Sequence, residues 1–175
     1  MATTFPTEML IGGQPARGEG APVTVTNPSS GEVTVTFPGA SIAQFEAAIA
    51  GARSSFDKGD WAGLHQLERV AILRKFVTRL QDRADDLRAL IVTETGCPVS
   101  SFALSAQVDG PLRQMIAMLE LYPKLPEIEE NPLGLEERIN VTGGFAQSIR
   151  RYLPVGVVAA ISAYNFPVQD RKSVV

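Results

Sequence analysis

The side chain best suited to chemistry is Asn165, near the end of the stretch Pro154-Val155-Gly156-Val157-Val158-Ala159-Ala160-Ile161-Ser162-Ala163-Tyr164-Asn165-Phe166-Pro167. The run from Val155 to Ile161 is apolar throughout and rich in valine. That composition predicts a strand covered on both faces, as in a parallel α/β sheet. In open α/β sheets, ligands gather just beyond the carboxyl ends of such strands. An amide delivered there, in a turn stiffened by Pro167, can donate a hydrogen bond to an oxyanion forming on a substrate. By residue type alone the commoner role is plainer, since Asn before Phe-Pro also braces turns and caps helices.

The other polar candidates carry less. Cys97 is the only cysteine, and it follows a predicted helix end, where the partial negative charge discourages a thiolate. It reads as a surface or loop residue. His65, the only histidine, has no Cys, His, Asp or Glu cluster at metal spacing around it, and reads as a residue near a helix start. Glu68 and Glu94 read as helix-face charges, and Trp61 as packing under the loop between two helices. The pairs Gly12-Gly13 and Gly143-Gly144 are turn signals, because neither belongs to a Gly-x-Gly-x-x-Gly pattern opening a helix.

The elements that must position Asn165 come in two styles. Val23-Thr24-Val25-Thr26 and Val33-Thr34-Val35-Thr36-Phe37 alternate with the two-residue period of half-buried strands. Asn27-Pro28-Ser29-Ser30-Gly31 between them is turn chemistry, so a hairpin is expected, with Met9-Leu10-Ile11 as a candidate third strand. Helices follow. Ser41 with Gln44 makes a capping box, and Phe45, Ile49, Ala52 and Phe56 recur on one face. A second helix from Gln66 carries Val70, Leu73, Val77 and Leu80. A third from Ala84 carries Leu87, Leu90 and Ile91 and ends at Gly96. A fourth opens at Asp109-Gly110-Pro111, where Pro suits the first turn, and carries Leu112, Met115, Ile116, Leu119 and Tyr122. Residues 123–135 read as a polar connector. Glu137 to Thr142 and Phe145 to Leu153 then flank Gly143-Gly144 as a two-stranded ribbon.

With 45% hydrophobic and 20% charged residues in 175, the chain is ordinary globular material. A net charge of −3 gives no basic field for nucleic acid. No apolar run reaches the roughly 18 to 20 residues that span a bilayer, and Met1 to Glu8 has no secretory pattern. A lone cysteine suits a reducing cytoplasm, so the expected location is cytoplasmic.

Four segments in order resemble the aldehyde dehydrogenase superfamily. Asn27-Pro28-Ser29-Ser30-Gly31-Glu32 resembles its early Asn-Pro-x-(Ser/Thr)-Gly-Glu turn. Leu67-Glu68-Arg69-Val70-Ala71-Ile72-Leu73-Arg74 resembles its Glu-Arg-x-x-x-Leu helix, and Glu94-Thr95-Gly96-Cys97-Pro98 its Glu-Thr-Gly-Lys-Pro. Pro154 to Pro167 resembles the segment that opens its cofactor-binding domain. The likeness runs from about Leu10 to Gln169, so the chain looks like the amino-terminal third of such an enzyme.

The resemblance implies an α/β fold in four parts. Residues 1–136 would be the first strands and helices of the cofactor-binding domain, 137–153 an oligomerisation ribbon, and 154–169 the first strand and loop of a Rossmann-like sheet. Residues 170–175 would be a non-native tail. It also implies oxidation of a small-molecule aldehyde to a carboxylic acid through a cysteine thioester, with NAD or NADP as cofactor, in a homo-oligomer. Asn165 would be the oxyanion donor, and Ile161, Ser162, Ala163, Tyr164 and Asn165 would lie along the cofactor. The usual family residues at positions 163 and 164 are Pro-Trp, so the presentation of Tyr164 is the local departure. Position 97 is commonly Lys in the family, away from the catalytic centre. The catalytic cysteine and glutamate would then lie outside this chain, which is expected to be inactive alone. The rival expectation is a stand-alone, non-catalytic helical interaction module, with Asn165 a turn cap and the ribbon binding a partner strand.

The last residues, Asp170-Arg171-Lys172-Ser173-Val174-Val175, fit neither reading, because consecutive charges after Gln169 give a helix no apolar face. They back-translate as GAT CGG AAG AGC GTC GTG, which resembles a sequencing-library adapter. The expectation is that the native sequence ends at Gln169. Resequencing past codon 169 tests it, and a stop codon without adapter sequence would defeat it.

Overall fold

The computed structural model describes residues 7–100, 102–139 and 142–171. Among the described residues there are three separate two-stranded antiparallel sheets and a helical core. Strand β1 (Glu8–Ile11) pairs with β2 (Gln14–Arg17) around Gly12 and Gly13, both at positive φ. Met9-Leu10-Ile11 therefore does not extend the next hairpin. It closes its own, because the Gly-Gly turn lets the chain reverse at once. Strands β3 (Pro22–Thr26) and β4 (Val33–Pro38) form the expected hairpin, with an irregularity in register between Val25 and Thr26. The Asn27 side chain accepts from the Ser29 amide at 2.9 Å, an Asx-type brace for the turn.

Helix α1 (Ile42–Lys58) begins at the Ser41 capping box. Gln44 does more than cap. Its Oε1 also accepts from the Glu19 amide at 3.0 Å, and its Nε2 donates to the Arg17 carbonyl at 2.7 Å, so it ties the end of β2 to the helix. A 3-10 turn, Asp60–Gly63, leads to α2 (Gln66–Asp82). His65 caps α2: its Nδ1 accepts from the Leu67 amide at 3.3 Å, and Glu68 returns an acceptor to the His65 amide at 2.8 Å. Glu68 is thus the other half of a cap rather than only a surface charge.

Helix α3 (Ala84–Thr95) stops at Gly96, whose φ of +68° suits a residue without Cβ. A Cβ at Gly96 would stand 2.8 Å from Pro28 Cγ, so the hairpin turn and the helix end share one tight contact. Two segments of the family resemblance, remote in sequence, meet there. A short helix absent from the sequence reading, α4 (Phe102–Gln107), precedes α5 (Asp109–Leu121).

The core lies among α2 to α5: Val70, Val77, Ile91, Leu104, Val108, Leu112, Met115 and Leu119 are buried. Each contributes about 1.5–3 kcal/mol from transfer out of water. Cys97 lies in the loop after α3, as one half of its reading had it, but it is buried in this core rather than on the surface. Arg88 bonds Asp85 on α3 and Asp109 on α5, linking the two helices.

Beyond a 3-10 turn (Tyr122–Lys124) the chain departs from the expected ribbon. The supposed connector holds β5 (Ile128–Asn131), which pairs with β6 (Ser148–Arg151). Glu136–Arg138 is a 3-10 turn, and among the described residues the local hairpin is an isolated bridge, Ile139–Phe145, with the Ala146 amide donating to the Arg138 carbonyl at 2.7 Å; positions 140 and 141 of the expected ribbon lie outside the described residues. Side chains select this register. Asn131 donates to Ser148 at 3.0 Å, Gln147 to Glu130 at 2.8 Å, and the Tyr152 hydroxyl to Glu129 at 3.0 Å.

Candidate functional site

After β6 the chain runs without regular structure to position 163, bends over 164–166, and enters α6 (Pro167–Arg171). The apolar run Val155–Ile161 is therefore not a strand here, because no described strand pairs with it and a strand exists only through its ladder. Its side chains stand in solvent, with Val155 at 92% and Ile161 at 96% exposure. Asn165, too, is exposed. One turn further, Val168 packs against the α2–α5 core, so the Asn165 bend is anchored on its carboxyl side. Positions 172–175 of the expected tail lie outside the described residues.

The residues singled out in sequence do not converge. Ile161, Ser162, Ala163, Tyr164 and Asn165 share one exposed stretch. Cys97 sits in the helical core and His65 caps α2. Among the described residues no group of three or more His, Cys, Asp and Glu side chains could hold a metal. Residues 161–163 are in neither helix nor ladder, and Tyr164 is 90% exposed.

Sequence reading missed the surroundings of Arg69. Its Nη1 donates to the Tyr122 hydroxyl at 2.7 Å and its Nη2 to the Ala62 carbonyl at 3.2 Å, while its Nε is buried without a partner. It borders an apolar groove of about 260 Å³ with Trp61, Phe76, Met118 and Leu125. Trp61 thus lines a groove between α2 and α5. The sequence signal was the Glu-Arg pair of α2, which gave no hint that the guanidinium reaches forward to position 122.

Burial disfavours the charge of Asp109, but hydrogen bonds from Ser105 and Arg88, with the charges of Arg88 and Arg113, outweigh it and hold the carboxyl below the usual range. Desolvation pushes the Glu94 carboxyl up.

This arrangement of hairpins, helical core and a bare apolar segment matches the amino-terminal part of solved α/β structures about three times as long. The aldehyde dehydrogenase family profile matches residues 16–170. The chain belongs to the aldehyde dehydrogenase family. It is 32% identical over 158 residues to the N-succinylglutamate 5-semialdehyde dehydrogenase of Ectopseudomonas mendocina, covering 90% of this chain and 29% of that protein. Its fold matches a Mycobacterium tuberculosis aldehyde dehydrogenase solved with NAD+ at a TM-score of 0.80, with 29% identity, over 95% of this chain and 32% of that one. Aldehyde dehydrogenase 21 of Physcomitrella patens, solved with its product succinate, shares the fold at a TM-score of 0.79 and 22% identity, over 94% and 32% of the two chains. The chain spans about 30% of the length of the curated relatives it matches. Among the described residues no helix is long and apolar enough to cross a membrane.

Proposed function

We propose that this chain is the amino-terminal portion of an NAD(P)-dependent aldehyde dehydrogenase that oxidises a small-molecule aldehyde to a carboxylic acid through a cysteine thioester. The observation that carries the reading is Asn165, inside the family match and at the end of an apolar segment. Its side-chain amide donates to the oxygen of the carbonyl under attack. A neutral amide donor suits this task, since its N–H stabilises the developing charge without being acidic enough to give up its proton. The effect is large only in a water-poor pocket, and in the isolated chain the amide is hydrated. The backbone of Ile161 to Asn165 holds the cofactor, with Tyr164 beside it. Bound there, the nicotinamide supplies the hydride acceptor. The attacking thiolate and the carboxylate base come from outside these residues, because the sole cysteine, Cys97, is sealed in the helical core. The segment 137–153 joins subunits of a homo-oligomer, and the enzyme is cytoplasmic.

The 175-residue chain alone is therefore inactive. The test is a chimera in which residues 1–169 replace the matched part of the mycobacterial neighbour. It is expected to form NADH or NADPH in the presence of an aldehyde. Asn165→Ala in the chimera is expected to lower kcat by about 10²–10³-fold with little change in KM. An unchanged kcat in a folded variant removes Asn165 from the mechanism, and turnover by the unfused chain contradicts its inactivity.

A further inference from the structure

We infer that Gln107 is a positioning residue for Asn165: its side-chain oxygen is the acceptor for the main-chain amides that open α6, and it so fixes the bend on which Asn165 stands. The catalytic consequence rests on the reading of Asn165 above; the contact itself does not.

Gln107 is out of place by type. It is 7% exposed, a buried polar residue in a core that is otherwise apolar among the described residues. Its Oε1 is shut away from solvent and has no hydrogen-bond partner among the described residues. An amide oxygen buried in that state is costly, and an apolar side chain of the same size would avoid the cost. The carboxamide therefore needs a donor.

The bend supplies one. Helix α4, which carries Gln107, packs against α3, α5 and α6. Helix α6 opens at Pro167, just beyond Asn165. Its Val168 side chain packs on the core cluster that holds Leu104 and Val108, which bracket Gln107 in the chain. The first amides of a helix have no acceptor inside it. In α6 these are Val168 and Gln169, since Pro167 has no N–H. Among the described residues neither donates in a main-chain bond outside a helix. An acceptor without a donor and two donors without an acceptor thus lie on helices in contact.

The consequence falls on Asn165. An Asn just before a helix readily turns its side-chain oxygen onto the opening amides. With Gln107 in that place the helix is capped from the core. The Asn165 carboxamide is then not drawn back onto its own backbone and stays outward, where it is exposed.

Amide exchange on the intact 175-residue chain tests the contact with two variants. Gln107→Met keeps the length and volume of the side chain but is a poor acceptor, and Gln107→Glu keeps an acceptor. In Gln107→Met the Val168 and Gln169 amides are expected to exchange about 5- to 10-fold faster, the loss of one net hydrogen bond, with α2 and α3 unchanged. Gln107→Glu is expected to hold them at the original rate. Unchanged rates in Gln107→Met overturn the inference, as does a Gln107→Glu chain as fast as Gln107→Met. Acceleration spread evenly over α2 to α5 overturns it in favour of packing alone, and acceleration confined to Asp109 and Gly110 in favour of a local cap on α5. A Gln107→Met chain that does not fold overturns it too, because a brace for one bend does not hold up the core. In the chimera described above, Gln107→Met is expected to lower kcat about 10-fold with KM within about 2-fold, and Gln107→Glu to restore it. An unchanged kcat there, where Asn165→Ala is still damaging, overturns the positioning role. If Asn165→Ala is also without effect, the reading of Asn165 fails and the contact stands.

Discussion

Helices α1 and α2 are each 17 residues long, and each begins with a capping box, yet they meet opposite fates. Helix α2 buries Val70 and Val77 among α3 to α5; α1 buries nothing. Both sequences are amphipathic, so local pattern alone does not separate them. What separates them is whether a partner layer exists within this chain. The same contrast holds between the packed 109–121 helix and the bare 155–161 run, which are both apolar enough to be core. The chain is a finished helical core carrying an unfinished flank.

The largest effects should come from forcing the two regions apart. Leu112→Ala empties a site only 3% exposed and is expected to cost about 2–5 kcal/mol. Ile49→Ala on α1 is expected to stay within about 0.5 kcal/mol. Urea unfolding of both variants checks the pair, and equal costs would erase the distinction.

Gly96→Ala is next. It places a Cβ at positive φ and 2.8 Å from Pro28 Cγ, for an expected loss of roughly 1–3 kcal/mol. Because Gly96 joins core to hairpin, the loss should appear in the global urea midpoint.

Smaller and confined to the flank, Ser41→Ala removes the α1 cap and is expected to cost about 1 kcal/mol of that helix. Amide exchange should report faster opening in α1 with α5 unchanged. If α5 opens too, the flank is coupled to the core more tightly than its packing indicates.

The smallest effect is a pH dependence at two carboxyls bordering the core. Asp109 is held below the usual carboxyl range. Its contribution is present above the ordinary Asp range and lost as pH falls through the lowered folded-state value. Glu94 runs the other way, because desolvation raises its carboxyl. Its contribution is present in acid and lost as pH rises through the raised value. Urea midpoints across the acid range should lose the first limb in Asp109→Asn and the second in Glu94→Gln.

Much of the core was legible in the sequence because its signals are local. Ser41 with Gln44, Gly96 with Pro98, and Pro111 in a first turn each mark a helix boundary through backbone chemistry. The helix stripes at 70, 73, 77 and 80, and at 112, 115 and 119, follow from period alone. Strand partners were less legible. Gly143-Gly144 advertised a local hairpin, but β6 found β5 through Glu129, Glu130 and Asn131, contacts across 17 to 23 residues that no periodicity encodes. Helix α4 is only six residues long, too short for its period to stand out, and Cys97 is carried inward by a turn at Gly96 that abuts the Asn27-Pro28 hairpin. The Asn165 bend was legible as a motif. Its setting was not, because the strand expected before it needs neighbours that are absent from the described residues.

Native-state amide hydrogen exchange on the intact 175-residue chain tests the division into finished core and open flank most directly. The account predicts the slowest exchange in α2, α3 and α5, with residues 155–161 exchanging at the rate of an unstructured peptide. Core-like protection across 155–161 would contradict it, since that segment would then already be packed.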